Sequence, residues 1–172
     1  MVFLCFVFSS TNAPAQTKDL VITLYIHVMD QNTGADLEDV EVLFETDSLP
    51  PRKLLTARKG TTQFLADVGR QYVIRFSYPG MVSKFMILDT RDLDLATWKF
   101  KQKTSVRIGY DIEMKLFKPQ ACQDFSYLKG SPWFHLKYMK SEGDIVEVGE
   151  AGLEKKTNRE RKRTCKEKIG VF

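Results

Sequence analysis

Val106-Arg107-Ile108-Gly109-Tyr110-Asp111-Ile112-Glu113-Met114-Lys115-Leu116 decides the fold. Side chains of an extended strand point to opposite faces in turn. Val106, Ile108, Tyr110, Ile112, Met114 and Leu116 therefore share one side, and Arg107, Asp111, Glu113 and Lys115 share the other. One apolar face and one charged face predict an antiparallel strand packed on a second layer.

The same period of two recurs upstream. Leu20, Ile22, Leu24, Ile26 and Val28 form one face of a strand. Val40, Val42 and Phe44 form another, and Tyr72, Ile74, Phe76 and Tyr78 a third. Turn formers at Asp30–Asp39, Lys59-Gly60, Gly69 and Pro79-Gly80 divide these units. Ser48-Leu-Pro-Pro51 is expected to end the Val40 strand, because proline has no N–H for a ladder. Lys53–Thr56 and Thr62–Ala66 read as the two arms of a hairpin. Met81–Asp89 reads as a return strand, and Arg91–Trp98 as a helical turn or an irregular crossover. About seven short strands with no long helical period predict an all-β, immunoglobulin-like antiparallel β-sandwich over residues 19–117.

Residues 118–150 read as an appended β segment. Its pieces are Phe125–Leu128, Trp133–Tyr138 and Asp144–Val148, expected to cover part of the sandwich. Residues 151–172 are a basic tail, read as disordered or partly helical. From Leu153 to Phe172 it holds eight basic residues against three acidic ones, while the whole chain of 172 residues is only +4. The folded body is thus close to neutral, which argues against a nucleic-acid-binding domain. No apolar run reaches the roughly 18 residues a membrane-spanning helix needs.

Val2-Phe-Leu-Cys-Phe-Val-Phe8, followed by Ala13-Pro-Ala15, is the outline of a secretory signal peptide over residues 1–15. It implies a secreted or periplasmic protein at a bacterial cell envelope. Cys122 and Cys165 are then candidates for a disulfide, worth roughly 3–4 kcal/mol if unstrained. No C-x-x-C spacing occurs.

His27-Val-Met-Asp-Gln-Asn-Thr-Gly34-Ala-Asp-Leu37-Glu-Asp-Val40-Glu-Val42 resembles the opening of a carboxypeptidase regulatory-like domain. Lys59-Gly60 to Phe64, Gly69–Gly80 and Tyr110–Met114 resemble its hairpin, its Gly-x-x-Tyr strand and its closing strand. The hairpin departs from the family pattern at Ala57-Arg58-Lys59, as does Gly80-Met81. The resemblance covers about Asp19 to Leu116. It implies a transthyretin-like (prealbumin-like) sandwich, as in secreted proteins of Bacteroidetes-type bacteria. It also implies a structural, interaction or sometimes carbohydrate-contacting role, and the family has no catalytic residues to carry over.

Reactive motifs are scarce. His27 and His135 are the two histidines, and neither has an acid or nucleophile at motif spacing. No phosphate loop, G-x-S-x-G or H-E-x-x-H occurs. Asp30, Asn32 and Asp36 alternate as in half of a calcium loop, but the twelfth-position Glu is missing, and an Asx-type turn explains them without any ion. Trp98, Trp133 and Tyr138 are candidate binding-surface aromatics. The expected function is a non-enzymatic exported module for protein interaction or structural support, without cofactor. The alternatives are a carbohydrate-binding accessory domain or a small hydrolase with scattered carboxylates. The expected partner is a protein or glycan at the envelope.

Overall fold

Alternation turns Ile22, Leu24, Ile26 and Val28 inward from the first strand, β1 (Val21–Asp30), and all four are buried. The computed structural model describes residues 21–93, 96, 109–148 and 151–162. Strand β1 is the centre of a three-stranded sheet. On one side it pairs antiparallel with β4 (Thr61–Asp67), and on the other it pairs parallel with β7 (Gly109–Leu116).

The second sheet has six strands. Its order is β3 (Leu49–Leu55), β2 (Glu41–Thr46), β5 (Gln71–Ser77), β6 (Lys84–Asp89), β8 (His135–Met139) and β9 (Asp144–Val148). Val42, Phe44, Tyr72, Ile74, Phe76, Met86 and Leu88 face the first sheet. They meet Phe64 and Ala66 of β4 and Ile112, Met114 and Leu116 of β7. Phe64 lies between two aromatic neighbours, stacked on Phe44 at 3.7 Å and edge-on to Tyr72 at 5.6 Å. Such burial contributes about 25 cal/mol per Å² of apolar surface. The protein is an immunoglobulin/transthyretin-like β-sandwich.

Consecutive residues on β7 differ sharply in what they tolerate. Ile112 is buried while Glu113 is exposed. Ile112→Asp places an unpaired carboxylate in the core and is expected to cost several kcal/mol. Glu113→Lys is expected to change stability by less than about 0.5 kcal/mol. Urea unfolding of both variants checks the contrast.

Several expectations are corrected. The sandwich is not wholly antiparallel, because β1–β7 and β6–β8 run parallel. A parallel pair cannot be closed by a hairpin, and between β1 and β7 the chain runs through strands of both sheets. The Val40 strand does end before Ser48, at Thr46, but Pro50 and Pro51 do not stay out of the sheet and lie inside β3. Strand β3 is an edge with β2 as its neighbour, and an edge tolerates residues lacking N–H. Lys53–Thr56 and Thr62–Ala66 are not hairpin arms, because β4 crosses to pair with β1 in the other sheet. The crossing is fixed at Gly60, whose carbonyl accepts from Val28 N at 2.8 Å. Residues 94–95 and 97–108 of the expected crossover and closing strand lie outside the described residues.

The appended segment extends the six-stranded sheet rather than covering it. Strand β8 joins β6, and β9 forms the sheet edge. Ser126–Lys129 is a 3-10 helix, not a β piece. Part of the charged tail is the helix α1 (Ala151–Arg161). It turns Leu153 inward to join Phe117, Phe125 and Leu128 in a second apolar cluster. Gln123 Nε2 donates to the Arg161 carbonyl at 3.0 Å, and Asp124 N donates to Glu160 at 3.0 Å.

Candidate functional site

The outward face of the three-stranded sheet carries an open groove of about 570 Å³. Two rungs of side chains cross it. Strand register sets Gln63, Tyr25 and Asp111 side by side, then Thr61, His27 and Glu113. Each rung has a ring on β1, an uncharged polar group on β4 and a carboxylate on β7. Adjacent strands lie about 4.8 Å apart, so the three groups of a rung can touch one small ligand together. The Tyr25 ring leans over Gly109. A Cβ at Gly109 would lie only 2.7 Å from Tyr25 Cε2, so glycine here makes room for the ring.

Neighbouring side chains hold two of the carboxylates at the groove. Glu113 pairs with Lys115 at 2.8 Å, and that hydrogen bond holds its carboxyl below the usual range. His27 Nε2 lies 2.7 Å from Asp36 Oδ1. Asp111 and the Tyr25 hydroxyl have no hydrogen-bond partner among the described residues. A general acid needs its pKa raised, usually by burial. Glu113 is exposed and shifted the other way, so it suits accepting hydrogen bonds rather than giving up a proton.

The calcium-loop residues do not converge. Asp30 Oδ1 accepts from the Asn32 and Thr33 backbone at 2.6 and 3.2 Å, an Asx turn. Asn32 Oδ1 accepts from Arg161 at 2.6 Å, and Asp36 turns to His27. The His27–Asp36 contact spans nine residues and is made by the backbone bridge between Met29 and Asp36. No motif spacing signalled it.

The aromatic candidates also move. Tyr138 is buried in the core, so it is not a binding-surface residue. Its position follows from β8 joining the sheet, which puts Tyr138 in phase with the buried face. Trp133 is half-buried, and Trp98 lies outside the described residues. Cys122 is disulfide-bonded, and Cys165 lies outside the described residues. His135 pairs in register with Ile87, and its Nε2 is buried without a hydrogen-bond partner among the described residues.

Trp133 instead covers a lysine that no sequence motif marks. Lys84 is in phase with Met86 and Leu88 and is buried with them. Its ammonium lies 3.6 Å from the Trp133 ring centroid and 5.0 Å from that of Phe117, and it donates to the Lys115 carbonyl. The ring faces and the carbonyl favour the charged amine. Burial opposes it, helped by the nearby Arg161 and Lys115 charges and countered by Glu154. Burial prevails, and the pKa falls to about 7. Lys84 therefore sits where the sandwich meets its C-terminal segment.

Tyr110 ties the two sheets at another seam. Its hydroxyl donates to Asp144 Oδ1 at 2.5 Å and accepts from Ile145 N at 3.2 Å. Burial, then the Asp144 hydrogen bond, raise its pKa well above the ordinary tyrosine value.

No protein-family model matches the chain, and no curated protein matches it. Among solved structures, it is similar to a pilus 2b backbone protein of group B streptococcus. That match has 12% identity and TM-score 0.39, over 56% of this chain and 40% of the other. A catechol 1,2-dioxygenase from Acinetobacter matches at 8% identity and TM-score 0.40, over 63% and 56%. A DUF3823 family protein from Parabacteroides merdae matches at 15% identity and TM-score 0.35, over 66% and 47%. The chain thus spans well under two thirds of each of these structures. The likenesses are too distant to assign a role.

Proposed function

We propose that the chain is an exported, non-catalytic β-sandwich module of the carboxypeptidase regulatory-like type that gives structural support at the cell envelope. The observation that carries this reading is the parallel pairing of β1 with β7, in register from Thr23↔Gly109 to Asp30↔Leu116. Among the described residues these are the first strand and the last before the C-terminal segment. In a parallel pair, the start of one strand and the end of the other lie at opposite ends of the ladder. Tension between those points loads all the hydrogen bonds together, whereas tension on a hairpin opens them one at a time. The disulfide at Cys122 suits an oxidising compartment. So does the apolar run before Ala13-Pro-Ala15.

Single-molecule pulling on the full chain tests the reading, since forced unfolding reports the unfolding barrier. Handles at Asp19 and Lys118 load β1 against β7. Handles at Ser131 and Gly149 peel β8 from β9. The first geometry is expected to break at clearly higher force. Equal or lower force in the first geometry would remove the support for a load-bearing role.

A further inference from the structure

We infer that the outward face of the β4–β1–β7 sheet is a binding site for a neutral saccharide, seated across the Gln63–Tyr25–Asp111 and Thr61–His27–Glu113 rungs. This goes beyond the load-bearing reading and fails separately from it: pulling tests the β1–β7 ladder, and ligand binding tests the face.

Three observations point to this ligand chemistry. First, Tyr25 offers an exposed ring held beside Gly109, where any side chain would collide with it. The apolar C–H face of a sugar ring packs on such a surface. Second, amide, phenol and carboxylate lie in one register line, Gln63, Tyr25 and Asp111. Asp111 accepts two hydroxyl hydrogen bonds, the Gln63 amide both donates and accepts, and Tyr25 does either. A ligand with several adjacent hydroxyls uses all three at once. Third, Asp111 has no partner among the described residues, whereas Glu113 is held by Lys115 and Asp36 by His27. One free carboxylate suits hydroxyl donors, and the poly-lysine arm of the test tells that apart from simple attraction of a cation. The groove volume of about 570 Å³ falls within the range of small-ligand sites. The strand face is also rigid, because Ile26 and Ile112 between the rungs are buried in the core.

The test is an array of neutral glucan, xylan, mannan and galactan oligosaccharides, with poly-lysine alongside, probed with the full-length chain and followed by calorimetric titration of each binder. Tyr25→Ala and Asp111→Asn are expected to weaken oligosaccharide binding at least tenfold. Glu147→Gln, on β9, should leave it unchanged. Asp111→Asn keeps the shape of an exposed side chain, so loss of binding without a shift in melting temperature isolates the site. Release of reducing ends from a bound oligosaccharide would retain the saccharide site and overturn the non-catalytic reading instead. The inference is overturned if no neutral oligosaccharide binds, if both groove variants bind like the parent, or if poly-lysine alone is retained.

Discussion

Gly60→Ala is expected to lower the melting temperature by about 10 °C. Gly60 has φ +65°, a conformation that costs an L-residue roughly 1–2 kcal/mol. Steric overlap adds to this. A Cβ at Gly60 would lie 2.3 Å from the Val28 carbonyl oxygen and 3.1 Å from Leu37 N. Both are backbone atoms, so no side chain can swing aside. Relief requires β1 and the Gly60 turn to separate. That strains the bonds from Val28 N to the Gly60 carbonyl (2.8 Å) and from Leu37 N to the Val28 carbonyl (3.0 Å). Two weakened buried hydrogen bonds plus the conformational cost come to about 3–4 kcal/mol. At about 2–4 °C per kcal/mol for a domain of this size, the drop follows. Gly34→Ala is the matched control. It has φ +71° but nothing within 4 Å of the new Cβ, so it should lose only about 1 kcal/mol. Calorimetry of the pair checks the account, and equal losses would contradict it.

Lys84→Met is expected to stabilise the protein at pH 7 and to erase part of its pH dependence. In the folded state the Lys84 amine titrates at about 7, chiefly because burial disfavours its charge. In the unfolded chain a lysine titrates at about 10.4. Between these values the unfolded state holds a proton that the folded state lacks. Stability therefore rises with pH from about 7 to about 10, at up to about 1.4 kcal/mol per pH unit. Below 7 both states are protonated and this slope vanishes. Above about 10, Tyr110 reverses the trend: unfolded tyrosine ionises while the buried folded hydroxyl keeps its proton. The parent should thus be most stable near pH 9–10. Methionine fills the space between Trp133 and Phe117 with an apolar chain and has nothing to titrate. It leaves the Lys115 carbonyl one donor short, at a cost of about 1–2 kcal/mol. The removed desolvation cost is larger, on the order of a few kcal/mol. Denaturant titrations at pH 6, 7.5 and 9 read the effect. A variant less stable at pH 7, with the parent's slope intact, would show that the charged amine holds this joint together.

Much of the fold was legible because alternation is a local signal. Ile22, Leu24, Ile26 and Val28 could face one way only, and so could Ile112, Met114 and Leu116. Strand partners were not legible, because pairing depends on where the chain goes after each turn. Nothing near Thr62–Ala66 indicates that it abandons the neighbouring strand for β1, and the deciding contact is Gly60 against Val28, 32 positions back along the chain. The place of Pro50 and Pro51 inside β3 was hidden for a related reason, since a strand-breaking residue is harmless on an edge, and which strand forms the edge is a tertiary fact.

The candidate site was less legible still. Its residues come from three strands, and Tyr25, Gln63 and Asp111 share no sequence motif. The signal that could have found them is Gly109, a lone glycine within an otherwise regular alternation, which marks close approach by another group. Trp133 and Tyr138 read as surface aromatics because nothing local marks β8 as a member of the sheet. Lys84 reads as a surface residue because lysine is polar, although its phase with Met86 and Leu88 points inward.

Native-state amide exchange across β1 and β7 tests most directly whether this parallel ladder closes the sandwich. The amides of Leu24, Ile26, Ile112 and Met114 are expected to exchange only through global unfolding, with one free energy matching that from denaturant titration. If β7 exchanges at loop-like rates while β1 stays protected, the pair is not a closing element, and the load-bearing account is wrong.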